Sequence, residues 1–193
     1  NSQKAEYQKD TTGKDESQLE MLKKLELSEE DHKVLIHYCQ KNGIEFLSTP
    51  FDASSLNLLT NRFGLEMIKI PSGEITNAPF LLVISHAAKK VILSTGMSSL
   101  AEVELALSVL AFGFITPDSV TPKRRDFEQA FASSTGQQAL RKRVTLLHCT
   151  TEYPAPFEEV NLRAMDTLSA SFGLPVGYSD HTTGIHISLA AVA

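Results

Sequence analysis

The stretch Met67-Ile-Lys-Ile70, with the helix-like segment 76–87 and the run Val91-Ile-Leu93 that follow it, decides the fold of this chain. Each run has the length and apolar character of a short buried strand, and the segment between them has the length of one helix. Two short strands joined by a helix are typical of a β-α-β unit, whose strands are parallel. The stretch therefore predicts a parallel sheet.

The same alternation continues on both sides of this unit. Further apolar runs lie at 44–48, 144–147 and 175–177, and further helix-like segments lie at 52–63, 99–111, 161–172 and from 183 onward. A repeat of about twenty to thirty residues is the size of a β-α unit. Before the first unit, Ser28 and Asp31 have the spacing of a capping box, which predicts a helix that ends at Gly43. The sequence as a whole predicts an α/β fold.

Two segments do not follow the repeat. Residues 1–16 are polar without an apolar period, and we interpret them as a loop. Residues 113–143 interrupt the alternation and include the basic run Lys123-Arg124-Arg125. A nuclear-localisation or nucleic-acid role for that run is one interpretation, and a solvated loop or short extra helix is the interpretation we favour. We assign the interruption no function.

The bulk composition excludes several classes of protein. The chain has 193 residues, 42% of them hydrophobic, which suits one domain with a sizeable core. A formal charge of −5 provides no basic field for nucleic acid or an anionic membrane. No run approaches the roughly 20 apolar residues of a membrane span, and the two cysteines form no disulfide framework. We therefore expect a cytoplasmic protein with no nucleic-acid or membrane partner.

Polar residues collect where each predicted strand ends. The ends are Ser48-Thr49-Pro50-Phe51-Asp52, Lys69-Ile-Pro-Ser-Gly-Glu74, Ser94-Thr-Gly-Met97, His148-Cys-Thr-Thr-Glu-Tyr-Pro154 and Gly177-Tyr-Ser-Asp-His-Thr182. Ligands bind at the carboxyl ends of parallel strands, where loops vary on a rigid sheet. Helix capping and chain punctuation explain a single such end. Five consecutive ends rich in hydroxyls favour a site in which Lys69 and the hydroxyls hold a phosphate and a carboxylate.

Two histidines lie at strand ends. His181, beside Asp180, is a candidate metal ligand or acid-base group. His148 ends an apolar run, and we expect it to be a hydrogen-bonded core residue. No two histidines have the helical His-x-x-x-His spacing of a metal site, so a metal needs further ligands from elsewhere in the protein.

These strand ends together resemble the bacterial N-acetylneuraminate (sialic acid) synthase family. The resemblance rests on Phe46-Leu-Ser-Thr-Pro-Phe-Asp52, Lys69-Ile-Pro-Ser-Gly-Glu74, Ile92-Leu-Ser-Thr-Gly-Met97, Leu147-His-Cys-Thr-Thr-Glu-Tyr-Pro-Ala-Pro156 and Gly177-Tyr-Ser-Asp-His-Thr182. It implies that residues 1–193 are an incomplete TIM-type (β/α)8 barrel with roughly strands 3 to 7, and that 113–143 is an insertion between the fifth and sixth strands. It also implies that the family's antifreeze-like C-terminal domain is absent, and that the full-length protein is a homodimer.

The resemblance further implies a reaction and a set of roles. The reaction is the condensation of phosphoenolpyruvate with N-acetylmannosamine and water to give N-acetylneuraminate and phosphate, assisted by Mn²⁺ or Mg²⁺. Thr49 and Lys69 would hold the carboxylate of phosphoenolpyruvate. Glu74 and Lys69 would be catalytic, and His181 would bind the metal. Ser72, Ser94, Ser179 and Thr151, which stands where some members carry Asn, would contact the phosphate, while Tyr153 would line the sugar pocket.

Two other functions remain open from the sequence. A legionaminic acid synthase uses the same scaffold with a different N-acetylated hexose, although the Thr151-Glu-Tyr-Pro-Ala-Pro156 stretch favours the neuraminate enzyme. The other is a non-catalytic sugar-phosphate binding module that arose by truncation. The family's first, second and eighth strands, and its second metal histidine, have no counterpart here. We therefore expect this polypeptide alone to have little or no synthase activity.

Overall fold

The computed structural model describes Lys9 and residues 17–193, which form two compact units, Asn1–Phe46 and Leu47–Ala193. The first unit contains helices α1 (Gln18–Leu25) and α2 (Glu29–Lys41). The predicted capping box of Ser28 and Asp31 begins α2, and Gly43, with φ of +68°, follows its end. The predicted helix is therefore confirmed. The predicted loop over 1–16 lies outside the described residues except at Lys9, which is helical.

The second unit alternates strands and helices in the order that the sequence predicts. Its strands are β1 (Met67–Ile70), β2 (Lys90–Ser94), β3 (Val144–His148) and β4 (Val176–Tyr178). Its helices are α3 (Ala53–Asn57, continued by the π-helical turn Leu58–Arg62), α4 (Ala78–Ala87), α5 (Leu100–Ile115), α6 (Arg124–Ala132), α7 (Ser134–Arg143), α8 (Ala164–Phe172) and α9 (His186–Val192). Two 3₁₀ turns, Ser72–Glu74 and Phe157–Glu159, follow β1 and β3.

The four strands form one sheet in the order β1-β2-β3-β4, and every neighbouring pair is parallel. The predicted parallel sheet is confirmed. The predicted strand over 44–48 is wrong, because residues 44–50 form no regular element. Ile44 and Leu47 are 63% and 39% exposed, so the run has neither a buried face nor a neighbouring strand among the described residues. An apolar run without a ladder partner does not become a strand.

The sheet has a buried face and a face that leads to the candidate site. Ile68, Ile70, Val91, Leu93 and Leu146 are at most 1% exposed and form the core together with buried residues of α4 and α5. Side chains alternate along a strand, so the residues between the buried ones point to the opposite face. On that face the register pairs Lys69 with Ile92, Ser94 with Leu147, and Leu147 with Gly177. Lys69 and Ser94 therefore lie on the face opposite the core.

The interrupting segment is helical in its second half and packs on α5. Helix α5 continues to Ile115, so its end overlaps the start of the predicted insertion over 113–143; an irregular stretch at 116–123 follows, and then α6 and α7. Phe112 and Phe127 meet edge to face with centroids 5.3 Å apart, and the guanidinium of Arg143 lies 3.8 Å from the centroid of Phe114. Helices α4, α6 and α7 all pack against α5, and nine of its residues are buried. None of the described helices is long and apolar enough to cross a membrane.

Candidate functional site

The carboxyl ends of β2, β3 and β4 are joined by backbone hydrogen bonds. Thr95 N donates to Leu147 O at 2.9 Å, and Ser179 N donates to His148 O at 2.8 Å. Farther out, Ala155 N donates to His181 O at 2.9 Å. The three loops that follow these strands are therefore fixed to one another, as a preorganised site requires.

His181 is the centre of the first cluster of candidate residues. Its Nδ1 contacts the carbonyl oxygen of Thr150, and its Nε2 lies 3.2 Å from the Tyr153 hydroxyl and 3.3 Å from Ser179 Oγ. The Tyr153 and His181 rings stack with centroids 4.1 Å apart. Because a carbonyl oxygen can only accept, Nδ1 carries the proton and Nε2 presents its lone pair toward the two hydroxyls.

This tautomer suits a metal ligand. A histidine ligand characteristically donates its second N–H to a backbone carbonyl or a carboxylate, as His181 does to Thr150. The neighbouring Asp180 is already engaged, because its carboxylate accepts from Thr182 N at 2.9 Å and from Ser188 Oγ at 2.5 Å. These hydrogen bonds, with that of Ser188 the largest cause, lower the pKa of Asp180. Within the described part of the chain, no three His, Cys, Asp or Glu side chains gather to form a complete metal site.

Ser94, Lys69 and Cys149 form the second cluster. Ser94 is 2% exposed, and its Oγ has the weakly bonding Cys149 thiol as its neighbour and no stronger hydrogen-bond partner among the described residues. Burial raises the pKa of the Cys149 thiol, and the Gly96 backbone, the charge of Lys69 and the nearby Ser94 hydroxyl oppose that rise. Lys69 and Ser94 lie on neighbouring strands and on the same face of the sheet. A cation on the same face as a buried hydroxyl without a strong partner is a suitable environment for an anion.

Gly96 connects the second cluster to the loop after β3. A Cβ atom at this position would lie 2.6 Å from Cys149 Sγ and 2.7 Å from Thr151 Cγ2. Only glycine allows so close an approach, so the loop after β2 packs directly against Cys149 and Thr151. Thr151 itself is an exposed residue.

The remaining predicted residues lie apart from these clusters. Ser72 and Glu74 are half-buried on the 3₁₀ turn after β1, where Glu74 Oε2 accepts from Asn77 Nδ2 at 2.8 Å. Thr49 is half-buried in the irregular stretch before α3. Among the described residues, no side-chain hydrogen bond joins Thr49, Ser72 or Glu74 to either cluster. The structure thus brings together part of the predicted site. Ser72 and Glu74 share with it only the carboxyl-terminal edge of the sheet, and Thr49 lies in no element of the sheet.

His148 differs from its prediction. It is half-buried, and its Nε2 is enclosed without a hydrogen-bond partner in the described part of the chain, so the expected hydrogen bond is wrong. Its ring lies 5.8 Å from that of Tyr178, its register partner, whose hydroxyl is equally unpaired. Both groups follow the strand alternation away from Ser94, toward the helices. Burial lowers the pKa of His148, because desolvation disfavours the charged imidazole.

Comparison with known proteins identifies the family of this α/β chain. A model of the NeuB family matches residues 1–193, and the chain belongs to that family. It is 54% identical to N,N'-diacetyllegionaminic acid synthase of Campylobacter jejuni over all of its length and 50% of the relative's. It is 45% identical to the synthase of the same name from Legionella pneumophila, over 98% of this chain and 47% of the relative.

A solved structure agrees with the fold. The N-acetylneuraminic acid (sialic acid) synthetase of Leptospira borgpetersenii, determined with citrate, superposes with a TM-score of 0.72 at 31% identity, covering 95% of this chain and 55% of that one. The resemblance to the sialic acid synthase family is therefore confirmed. The chain spans about half the length of the curated relatives it matches.

Proposed function

We propose that this chain provides the phosphoenolpyruvate-binding part of a legionaminic acid synthase, which condenses phosphoenolpyruvate with a di-N-acetylated hexose. The observation that carries the proposal is the buried hydroxyl of Ser94, which has no strong hydrogen-bond partner among the described residues and lies at a strand end on the same sheet face as Lys69. A buried hydroxyl without a strong partner costs free energy, and an incoming phosphate oxygen would remove that cost. The family membership supports an enzyme of this type.

The choice of sugar rests on the relatives. Identity to the two legionaminic acid synthases is 54% and 45%, against 31% to the Leptospira N-acetylneuraminic acid synthetase. Their product name carries two N-acetyl groups, and phosphoenolpyruvate carries none, so both must come from the sugar. The relatives therefore favour the hexose of a legionaminic acid synthase over N-acetylmannosamine. The neuraminate reaction, favoured by Thr151-Glu-Tyr-Pro-Ala-Pro156, remains the second candidate.

The scaffold that we propose is a TIM-type (β/α)8 barrel. The parallel order β1-β2-β3-β4, with a helix between successive strands, is the arrangement of consecutive barrel strands. Active sites of such barrels lie at the carboxyl ends of the strands, where Lys69, Ser94 and His181 lie here. The full-length enzyme would carry the antifreeze-like domain and act as a homodimer.

Two anionic groups need binding partners. Lys69, on the sheet face opposite the core, would pair with the carboxylate of phosphoenolpyruvate together with Thr49. Ser94, Ser72 and Ser179 would donate to its phosphate, with Thr151 beside Gly96 as a further donor. Two fixed anionic groups orient the enol carbon, and such orientation contributes much of the rate in a condensation.

The sugar aldehyde would lie near His181, Tyr153 and Glu74. His181 Nε2 has the lone pair for Mn²⁺ or Mg²⁺, and the missing ligands would come from groups outside the described cluster. A bound divalent metal supplies Lewis-acid polarisation of the aldehyde oxygen. Tyr153, 49% exposed and stacked on His181, would line the sugar pocket. Glu74 would transfer a proton at the reacting carbonyl.

The proposed reaction is balanced without an oxidant or reductant. The enol carbon of phosphoenolpyruvate forms a bond to the aldehyde carbon, whose oxygen takes a proton. Water adds to the cationic carbon left at the former enol position and loses a proton. The C–O bond to phosphate then breaks, and inorganic phosphate leaves with the keto acid remaining. The residues named above bind, orient and protonate, and none forms a covalent bond to the substrate.

The test uses the full-length polypeptide that the gene encodes, with phosphoenolpyruvate, Mn²⁺ and either N-acetylmannosamine or a 2,4-diacetamido hexose. We expect faster phosphate release with the diacetamido sugar and a product mass equal to both substrates plus water minus phosphoric acid. Faster turnover of N-acetylmannosamine would support the neuraminate reaction instead. Binding of phosphoenolpyruvate by calorimetry without turnover of either sugar would support the non-catalytic module.

A further inference from the structure

We propose that Asn77 is a positioning residue that holds the Glu74 carboxylate in the orientation needed for proton transfer. The inference rests on the proposed function, which gives Glu74 its part in the condensation. Asn77 is not among the residues that the family resemblance brings to the site. Its side chain contacts the carboxylate directly, with Nδ2 2.8 Å from Glu74 Oε2.

The orientation of the Asn77 amide is fixed from its other end. Asn77 caps α4, and its Oδ1 accepts a hydrogen bond from Phe80 N at 3.3 Å. Because a backbone N–H can only donate, the amide oxygen must face Phe80, and the amide nitrogen must face Glu74. The amide therefore links the first turn of α4 to the carboxylate of Glu74.

The elements at both ends of this link are anchored. Asn77 N donates to Glu74 O at 3.0 Å, so the backbone between the two residues forms a closed turn. Ile75, within that turn, is 4% exposed, and Phe80 and Leu81 in the first turn of α4 are 6% and 1% exposed. Asn77 thus connects the buried first turn of α4 to the Glu74 side chain, which is only half-buried.

The chemistry of the residue exceeds what capping requires. Ser, Asp and Asn cap helices about equally well, and all three present an oxygen to the N–H groups of the first turn. Asp has no donor, and the Ser hydroxyl must donate and accept through one oxygen, whereas Asn carries an NH₂ donor separate from its oxygen. That donor occupies Glu74 Oε2 and leaves Oε1 for substrate, and it reduces the rotamers open to a half-exposed glutamate.

The test compares substitutions that keep the cap. In the full-length enzyme, Asn77→Gly removes the donor at a small cost in capping, and Asn77→Asp replaces it with a carboxylate facing Glu74. We expect kcat to fall about ten- to a hundredfold for Asn77→Gly, as for loss of a hydrogen bond to a charged group, and further for Asn77→Asp. The KM for phosphoenolpyruvate should change by less than about twofold, because the link does not touch the anion-binding residues.

A matched control separates positioning from stability. Ser99→Ala removes the capping box of α5, and we expect it to lower the melting temperature while leaving kcat unchanged. The Asn77 variants should show the opposite pattern, and a crystal structure of Asn77→Gly should show the Glu74 carboxylate turned from its present position. An unchanged kcat in Asn77→Gly, with an active wild-type enzyme, overturns this inference alone. An inactive wild-type protein overturns the proposed function and this inference with it.

Discussion

His181 donates a hydrogen bond from Nδ1 to the carbonyl oxygen of Thr150, so that the loop after β4 fixes its ring against the loop after β3. The bond determines the tautomer, and Nε2 is left to interact with Tyr153, Ser179 or a metal. A ligand whose orientation is set before the metal arrives loses little entropy when the metal binds. The same bond explains how one histidine can serve both the loop structure and the site.

His181→Gln should therefore weaken metal binding. Loss of a ligand's supporting partner costs about ten- to a hundredfold in metal affinity, and loss of the ligand itself should cost at least that. The measurement is titration of the full-length protein with Mn²⁺, followed by electron paramagnetic resonance of the free ion. His186→Gln, on the exposed first turn of α9, is the control and should leave affinity unchanged. Equal affinities in the two variants would remove His181 from the metal site.

Ser94→Ala should separate binding from stability. The Ser94 hydroxyl has only the weakly bonding Cys149 thiol as a neighbour in the described structure, so its removal breaks no strong hydrogen bond and should leave the melting temperature nearly unchanged. A hydrogen bond to a charged phosphate is worth about 1.5–3 kcal/mol, so the affinity for phosphoenolpyruvate should fall about ten- to a hundredfold. Calorimetry with phosphoenolpyruvate measures this.

Ser108→Ala is the matched control for that substitution. Ser108 is 5% exposed, but its hydroxyl donates to Glu104 O at 2.7 Å, away from the strand ends. We expect this variant to retain the affinity for phosphoenolpyruvate. A Ser94→Ala protein that binds as tightly as the wild type would show that the buried hydroxyl has no part in anion binding.

Gly96→Ala should distort the second cluster. A Cβ at 2.6 Å from Cys149 Sγ and 2.7 Å from Thr151 Cγ2 forces the loops after β2 and β3 apart. Overpacking of this kind costs about 1–3 kcal/mol, so chemical denaturation should show a lower free energy of unfolding. Gly73→Ala is the control, because a Cβ there meets nothing within 4 Å. Similar losses in both variants would contradict the packing that we describe around Gly96.

The sequence predicts the strands well where the sheet supplies neighbours. Met67–Ile70 is predicted to the residue, and Val91–Leu93 is predicted within one residue at each end of Lys90–Ser94. Both runs are apolar because helices cover them, so their burial can be predicted from the local sequence pattern. The run 44–48 has a similar pattern but no neighbouring strand in the described structure, and a partner strand cannot be read from the run itself.

The site is predictable to the extent that the strand-end rule applies. Lys69, Ser94 and His181 follow from that rule, because each lies in the last two residues of an apolar strand or in the loop after it. The sequence analysis missed Asn77 as a partner of Glu74, although Asn before Ala-Pro is a recognisable helix start. It also missed the contact of Cys149 with Gly96, because this contact depends on how two loops far apart in sequence cross.

The enclosed imidazole of His148 should make the protein less stable in acid. Burial holds its folded-state pKa below the ordinary value of 6.5, so at mildly acidic pH the unfolded chain binds a proton that the folded chain excludes. The resulting stability is present above about pH 6.5 and is lost as the pH falls through the folded-state pKa.

His148→Phe keeps a ring against Tyr178 and removes the titrating group. Between about pH 7.5 and pH 5, its melting temperature should fall less than that of the wild type. His37→Phe, at an exposed position of α2, controls for the substitution and should fall as the wild type does. Parallel melting curves for His148→Phe and the wild type across this range would show that His148 does not govern the acid sensitivity.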